Sequence, residues 1–391
     1  MFYIEDLKIL YSKVIKVKKV GITELPLHWG KTPKWLFKRM VKLSNSIIKI
    51  IVYEYGEDEL LKRLSNPFWF QALSCVLGYD WHSSGTTTVT TAVLKAVSKP
   101  EELGIGVAGG KGKISRKTPE EIEKISEIFN LSSKKVEKLK YASKLSAKID
   151  NTAIQAGYPL YHHAFFFTEK GKWVVIQQGM SVQDRTARRY HWISDQVKSF
   201  VEEPHAAICC DIKQKNVLNM VAKESKEARK VCVDLVKEGP KRIKNDLLSL
   251  KPVYQKSLRE FLPGKSRKKS IVHVLKMPKN VNWNGLKEAY DFQPKNYEEL
   301  ISLKGIGPAT VRGLALVSEI IYGSPPSWRD PVRFSFAYGG KDRVPRPIDR
   351  KAMDESIRFL DEVLKQTELN KKEKLEAFKR LRSIIPKKVN S

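Results

Sequence analysis

The chain has 391 residues, 41% of them hydrophobic, enough to bury the cores of two or three domains. Lys and Arg number 72 against 43 Asp and Glu, a formal charge of +29 that exceeds what an enzyme of neutral small molecules needs and suits a polyanion. DNA is the first partner to expect and RNA the second, since charge alone does not distinguish the sugars.

In chain order, residues 1–20 read as a variable lead, and organised sequence begins near Gly21. Leu36, Met40, Leu43, Ile47, Ile48 and Ile51 recur at helical spacing behind Pro33, which predicts a long amphipathic helix to about Tyr55. A short helix is expected from Glu57 to Leu64, and Pro67 opens an apolar segment through Leu77 that must be buried. Gly78 to Thr88 is dense in small hydroxyls and carries Asp80 and His82. It reads as a site loop whose Ser83, Ser84 and Thr86 to Thr88 face a phosphate at a helix N-terminus, or as an N-cap with a Ser/Thr turn. Gly104 to Lys113 reads as an anion nest beside Lys111 and Lys113, or as a flexible basic loop. It lacks the Gly-x-x-x-x-Gly-Lys-Ser/Thr order, so no nucleotide cofactor is expected.

Further helices are expected from Thr118, with Pro119 at the first position, and from about Ser132 to Ile149. Around residue 157 the period changes: Tyr158 to Thr168 and Lys172 to Met180, joined by Glu169-Lys170-Gly171, predict a β-hairpin. The hairpin carries His162, His163, Gln177 and Gln178 on otherwise apolar strands, and Asp184, Arg188, Arg189 and His191 follow. Burying polar groups costs free energy unless they are paired, so this concentration is either internally satisfied or functional. Lys215 to Leu250 reads as helical, the stretch to Lys269 as a basic linker, and residues 350–385 as two closing helices.

The most interpretable stretch is Leu300 to Leu314. Leu300 and Leu303 lie one helical turn apart, Gly305-Ile306-Gly307 breaks the helix, and Val311, Leu314 and Ala315 return at helical spacing. This is the form of a helix-hairpin-helix DNA-binding module, whose glycines let N–H groups of the second helix approach a phosphate. The expected backbone contacts are Lys304, Gly305, Gly307, Ala309, Thr310 and Arg312, with Lys111, Lys113, Arg188 and Arg189 adding charge elsewhere. An αα-hairpin with a glycine C-cap is the alternative. Cys75, Cys209, Cys210 and Cys232 show no Cys-x-x-Cys spacing, so neither a zinc site nor a disulfide framework is expected, and a cytoplasmic location is. No apolar run approaches a membrane span.

The expected fold is predominantly α with a small β-hairpin or sheet element, in the α+β class. The expected divisions are an α+β domain over 21–210 carrying the polar loops, a basic helical segment and linker over 211–280, and a hairpin-bearing helical domain over 281–391.

Five segments together resemble an archaeal and bacterial family known as domain of unknown function 763: Leu25-Pro26-Leu27-His28-Trp29-Gly30, Pro67-Phe68-Trp69-Phe70-Gln71-Ala72, Asp80-Trp81-His82-Ser83-Ser84-Gly85, Val107-Ala108-Gly109-Gly110-Lys111-Gly112 and Leu303-Lys304-Gly305-Ile306-Gly307-Pro308. The resemblance spans about residues 20–365 and implies no particular activity. The hairpin and the loop after it also resemble, more distantly, the base-excision glycosylase superfamily, and Asp330 would be that family's aspartate. The position of the lyases' Schiff-base lysine falls on Ala309, so that resemblance implies a monofunctional glycosylase. Asp330 also reads as a capping or salt-bridged residue beside Arg329 and Arg333.

The leading expectation is a DNA-processing enzyme of repair or recombination, a metal-dependent nuclease. Its hydrolytic site would be Asp80, His82, His162, His163, Asp184 and His191. A divalent Mg or Mn ion on Asp80, His82 and His163 would generate hydroxide and neutralise developing charge. Convergence of those six residues is the test. The alternatives are a glycosylase using Asp330 and a non-catalytic DNA-binding protein.

Overall fold

The computed structural model describes residues 32–79, 84–250, 277–332 and 350–383. The lead, Asp80, His82, Ser83, Arg333 and most of the basic linker lie outside the described residues. The fold is predominantly helical with a small antiparallel sheet, the α+β class expected.

Four helices come first: α1 (Lys34–Tyr55), α2 (Glu57–Ser65), α3 (Pro67–Val76) and α4 (Gly85–Val97). The α1 stripe of Met40, Leu43, Ile47, Ile48 and Ile51 is buried, as its spacing predicts. Asn66 starts α3 by accepting from the N–H groups of Phe68 at 2.9 Å and Trp69 at 3.2 Å, with Pro67 at the first position, where its missing N–H costs nothing. A single turn, α5 (Pro100–Leu103), leads into β1 (Ile105–Lys111), a 3₁₀ turn (Gly112–Lys117), α6 (Thr118–Ile128) and α7 (Ser133–Thr152).

The glycine-rich stretch is therefore largely a strand, not a loop. At Gly109, φ is +88° and a Cβ would stand 2.2 Å from the His163 carbonyl oxygen, so only glycine lets this edge strand close on its neighbour. The predicted hairpin forms as β3 (Leu160–Thr168) and β4 (Trp173–Ser181), and β5 (Thr186–Ile193) and β6 (Ala207–Cys210) extend it. The five-stranded sheet has the order β1-β3-β4-β5-β6, and a separate pair joins β2 (Ile154–Gln155) to β7 (Leu218–Asn219). After β7 come α8 (Lys226–Glu238), α9 (Pro240–Ser249), α10 (Trp283–Phe292), α11 (Tyr297–Ser302), α12 (Pro308–Ile320), α13 (Arg350–Gln366) and α14 (Lys371–Ser383).

Helices cover both faces of the sheet. Val107, Ala164, Phe166, Val174, Ile176 and Ile193 face a core shared with α1 to α4, the first face below. Ala108, Phe165, Phe167, Val175, Tyr190 and Trp192 face a core shared with α7, α8 and α12, the second face. Strands buried on both sides read as nearly continuous apolar runs, and any polar residue on them must find its partner indoors. One core draws on all three expected divisions, 21–210, 211–280 and 281–391. The second-face core runs without a break from Ala108 to Val332. Leu360, Val363 and Leu364 of α13 and Leu381 of α14 return to the core of the N-terminal helices. Among the described residues, no helix is long and apolar enough to cross a membrane.

Candidate functional site

The Gly-Ile-Gly segment makes a tight turn between α11 and α12. Gly305 has φ +95°, and a Cβ there would meet Gly285 Cα of α10 at 2.9 Å, so two glycines let the turn rest directly on the start of α10. Lys148 of α7 donates to the Leu303 carbonyl at 3.0 Å and fixes the turn from the other side. Both neighbouring helices are capped: Asn282 accepts from Gly285 N–H at 3.0 Å and Asn296 from Glu299 N–H at 2.9 Å. The N-terminus of α12 carries no side-chain cap, and nothing lies within 4 Å of where a Cβ on Gly307 would stand. Its first helical bond runs from Val311 N–H to Gly307 O at 3.0 Å, so the amides of Ala309 and Thr310 precede the ladder. Lys304 is exposed beside them. Two expected contacts are instead used in packing. The Thr310 side chain is buried and its hydroxyl accepts from Asn282 N–H at 3.4 Å. Arg312 donates to Gln155 at 2.8 Å and lies over the Trp328 ring, and burial lowers its pKa.

The four described members of the expected catalytic set, His162, His163, Asp184 and His191, do not converge. His162 and His163 are neighbours on a strand, so they point to opposite faces. On the first face, His162 meets Thr91 Oγ1 at 2.9 Å through Nε2. Thr91 gives its own proton to Thr87 O at 2.8 Å, so His162 carries its hydrogen on Nε2. Burial, then the nearby His163 and Lys111, push its pKa down to about 3 and keep it neutral. His191, on the same face, contacts the Leu64 carbonyl through Nδ1 at 3.0 Å and packs edge-on to Phe70, and burial with the Arg189 charge holds it well below the usual imidazole range. Asp184 sits in the β4–β5 turn, accepting from Ser181 at 2.9 Å and Gln214 at 2.6 Å. His163 thus cannot share an ion with His162, and it faces away from the cavity lined by Tyr79 and Ser84, which flank the segment holding Asp80 and His82. Among the described residues, no group of three or more His, Cys, Asp or Glu is arranged to hold an ion.

The two arginines expected to contact phosphate are interior. Arg188 and Asp330 form a fully buried bidentate pair, at 3.0 and 2.7 Å. Burial alone would lower the Arg188 pKa, but the Asp330 charge and hydrogen bonds raise it above its ordinary value. Asp330 also accepts from the N–H groups of Gln214 at 2.8 Å and Val332 at 3.1 Å. Its carboxylate is committed, which does not favour the glycosylase alternative. Arg189, on the first face, donates to Gln71 Oε1 at 3.2 Å beneath Phe70, and burial pulls its pKa down to about 10.

A cavity of about 440 Å³ opens on the first face, lined by Tyr79, Ser84, Thr91, Lys111, Tyr161 and His162 among others. The hydroxyl loop, the glycine-rich stretch and the histidine strand therefore meet here. The expected anion nest is already filled, because Glu121 accepts from Gly109 N–H at 2.6 Å while bonded to Lys95 at 2.7 Å. The threonines also turn inward: Thr90 donates to Ser74 at 2.9 Å, and Thr87 to Gln178. Lys111, in the cavity lining, remains exposed, as does Lys113.

The second face holds an arrangement that the sequence reading missed. Asp150, in the last turn of α7, is fully buried and holds His205 Nε2 on Oδ1 at 2.5 Å. Its Oδ2 accepts from Trp192 Nε1–H at 2.9 Å and from Gln177 Nε2–H. Gln177 is itself oriented, donating to Ser146 O at 3.1 Å and accepting from His163 Nδ1–H at 2.7 Å, while Ser143 Oγ meets His163 Nε2 at 2.9 Å. These contacts fix one set of tautomers, and burial lowers the His163 pKa against the pull of Gln177. The result is a polar chain from Ser143 to His205 with every link paired. The Trp192 ring lies 4.3 Å from the His205 ring and sets its plane. His205 Nδ1 makes no hydrogen bond among the described residues, and the ring lines a cavity of about 350 Å³. A carboxylate that fixes one imidazole nitrogen and leaves the other toward a cavity is a proton-transfer arrangement. One sequence signal pointed to it. Asp150 continues the buried stripe of Ala142, Ser146 and Ile149, where a charge needs a reason.

The chain belongs to the family described as "Protein of unknown function (DUF763)", whose model matches residues 21–348. No curated protein and no solved structure matches it.

Proposed function

We propose that the protein binds DNA through its phosphate backbone and processes it, as a nuclease of repair or recombination. The observation that carries the reading is the α11–α12 hairpin. Its second helix starts without a cap behind an open Gly307, with Lys304 exposed at the turn, on a chain of net charge +29. Such a module binds phosphates and reads no base, so affinity depends on salt and little on sequence. Lys111 and Lys113 add exposed charge at the edge of the sheet.

Fluorescence anisotropy of labelled duplex, single-stranded and branched DNA tests the binding. log K should fall linearly with log salt, and Lys304→Ala should reduce that slope by about 0.9. A salt-independent affinity, or none at low salt, sinks the reading. Gel assays of the same substrates with Mn²⁺ or EDTA test the nuclease and its ion. Binding without product would leave the non-catalytic alternative.

A further inference from the structure

We propose that the cavity at His205 receives one nucleotide of a DNA strand, with the Asp150–His205 pair accepting the proton of the water that hydrolyses its phosphodiester bond. This rests on the DNA-processing reading above and places its reaction centre on the second face of the sheet.

Four observations meet here. The first is the paired Asp150 and His205, with His205 Nε2 engaged and the ring in the cavity wall. The second is Asn219, only 5% exposed and lining the same cavity, whose Oδ1 has no hydrogen-bond partner among the described residues. A buried acceptor left unpaired suits a donor brought by a ligand, such as a base amino group. The third is Glu203, two residues before His205, held at φ +42° with its N–H bonded to Val221 O at 2.8 Å. A non-glycine residue persists in the left-handed region where the surroundings fix it, and such strain gathers at sites. The fourth is charge and place. Lys213 and Arg329 are exposed cations in the cavity lining. Arg329 follows Trp328, whose ring carries Arg312 of α12, and Gln155 ties Arg312 to the Pro308 carbonyl at 2.8 Å. These contacts connect the rim at Arg329 to the first turns of α12. At about 350 Å³ the cavity is at the small end of ligand sites, which suits one nucleotide and not a duplex.

In the step, the water oxygen forms a bond to phosphorus and its proton passes to His205 Nδ1, with Asp150 stabilising the imidazolium. The bond from phosphorus to one sugar oxygen breaks, and that oxygen takes a proton from solvent. One water is consumed, leaving a phosphomonoester end and a hydroxyl end.

The test is single-turnover cleavage of end-labelled DNA by wild type, His205→Ala and the surface variant Lys213→Glu, with anisotropy on each. His205→Ala should slow cleavage by at least about a hundredfold while binding holds, and added imidazole should restore part of the rate. Lys213→Glu should weaken cleavage without unfolding the protein. Cleavage by His205→Ala near the wild-type rate overturns the assignment and leaves the DNA reading standing. Loss of rate that imidazole does not restore, with Lys213→Glu unaffected, also overturns it. DNA binding with no cleavage by wild type on any substrate overturns the assignment and the nuclease reading together, and leaves the hairpin.

Discussion

The two faces of the sheet receive the same kinds of side chain from the same three strands. The doublets His162-His163, Gln177-Gln178 and Arg188-Arg189 each split, one member to each face. On the first face, His162, Gln178 and Arg189 stand in register across β3, β4 and β5 and close on hydroxyls and amides of α3 and α4. That row also reaches a cavity, since His162 is in the lining of the 440 Å³ opening. On the second face, His163 and Gln177 are links in a chain that leaves the core at His205 and meets a cavity. Composition therefore does not separate a structural network from a functional one. In the proposed assignment they differ in the partner that holds the cavity-lining imidazole: the Asp150 carboxylate at His205, a threonine hydroxyl at His162.

Three perturbations probe this contrast, in order of expected size. Asp330→Asn leaves the Arg188 charge buried with half its partner gone, and should cost about 3–5 kcal/mol, read as a fall in the urea midpoint. Unchanged stability would remove the structural role assigned to Asp330. The second is pH. His162, His163 and His191 have folded pKa values below the ordinary histidine value, so the unfolded chain takes up protons first. Their contribution is fully present above about pH 6.5 and is lost as pH falls, down to about 3 for His162, at up to about 1.4 kcal/mol per pH unit for each. Urea melts at pH 7.5, 6 and 5 check this, and a midpoint that does not fall between pH 7.5 and 5 contradicts the buried neutral assignment. The smallest effects concern the hairpin. Gly305→Ala combines a positive φ with a close approach to Gly285, and should cost at least about 1 kcal/mol. Gly307→Ala meets open space, so stability should hold while DNA affinity drops, because its methyl stands before the first amides of α12. Equal behaviour of the two variants in both assays would dissolve the distinction.

Much of the fold was legible where one period dominates. The α1 stripe, the burial of the apolar segment opened by Pro67, the β3–β4 hairpin and the α11–α12 turn all follow from spacing and turn chemistry. β1 was not legible, because its glycines have poor strand propensity and its stability comes from pairing with β3. β5 carries two arginines and a histidine inside a central strand, and only partners distant in sequence, Asp330 and Gln71, make that tolerable. The strand alternation already implied that His162 and His163 cannot share one ion, so the expected six-residue site was separable in advance. The Asp150–His205 pairing was not, since its members are 55 positions apart and only the buried place of Asp150 on its helix hinted at one of them. The Asp80 and His82 expectation lies outside the described residues.

In the proposed arrangement the second face carries chemistry and the first carries structure. The most direct measurement is the cleavage rate of His205→Ala against His162→Asn on the same DNA, with binding and folding checked for each. The account predicts a rate loss of about a hundredfold or more for His205→Ala and a near wild-type rate for a less stable His162→Asn. A lost rate in folded His162→Asn, with His205→Ala still active, would contradict it.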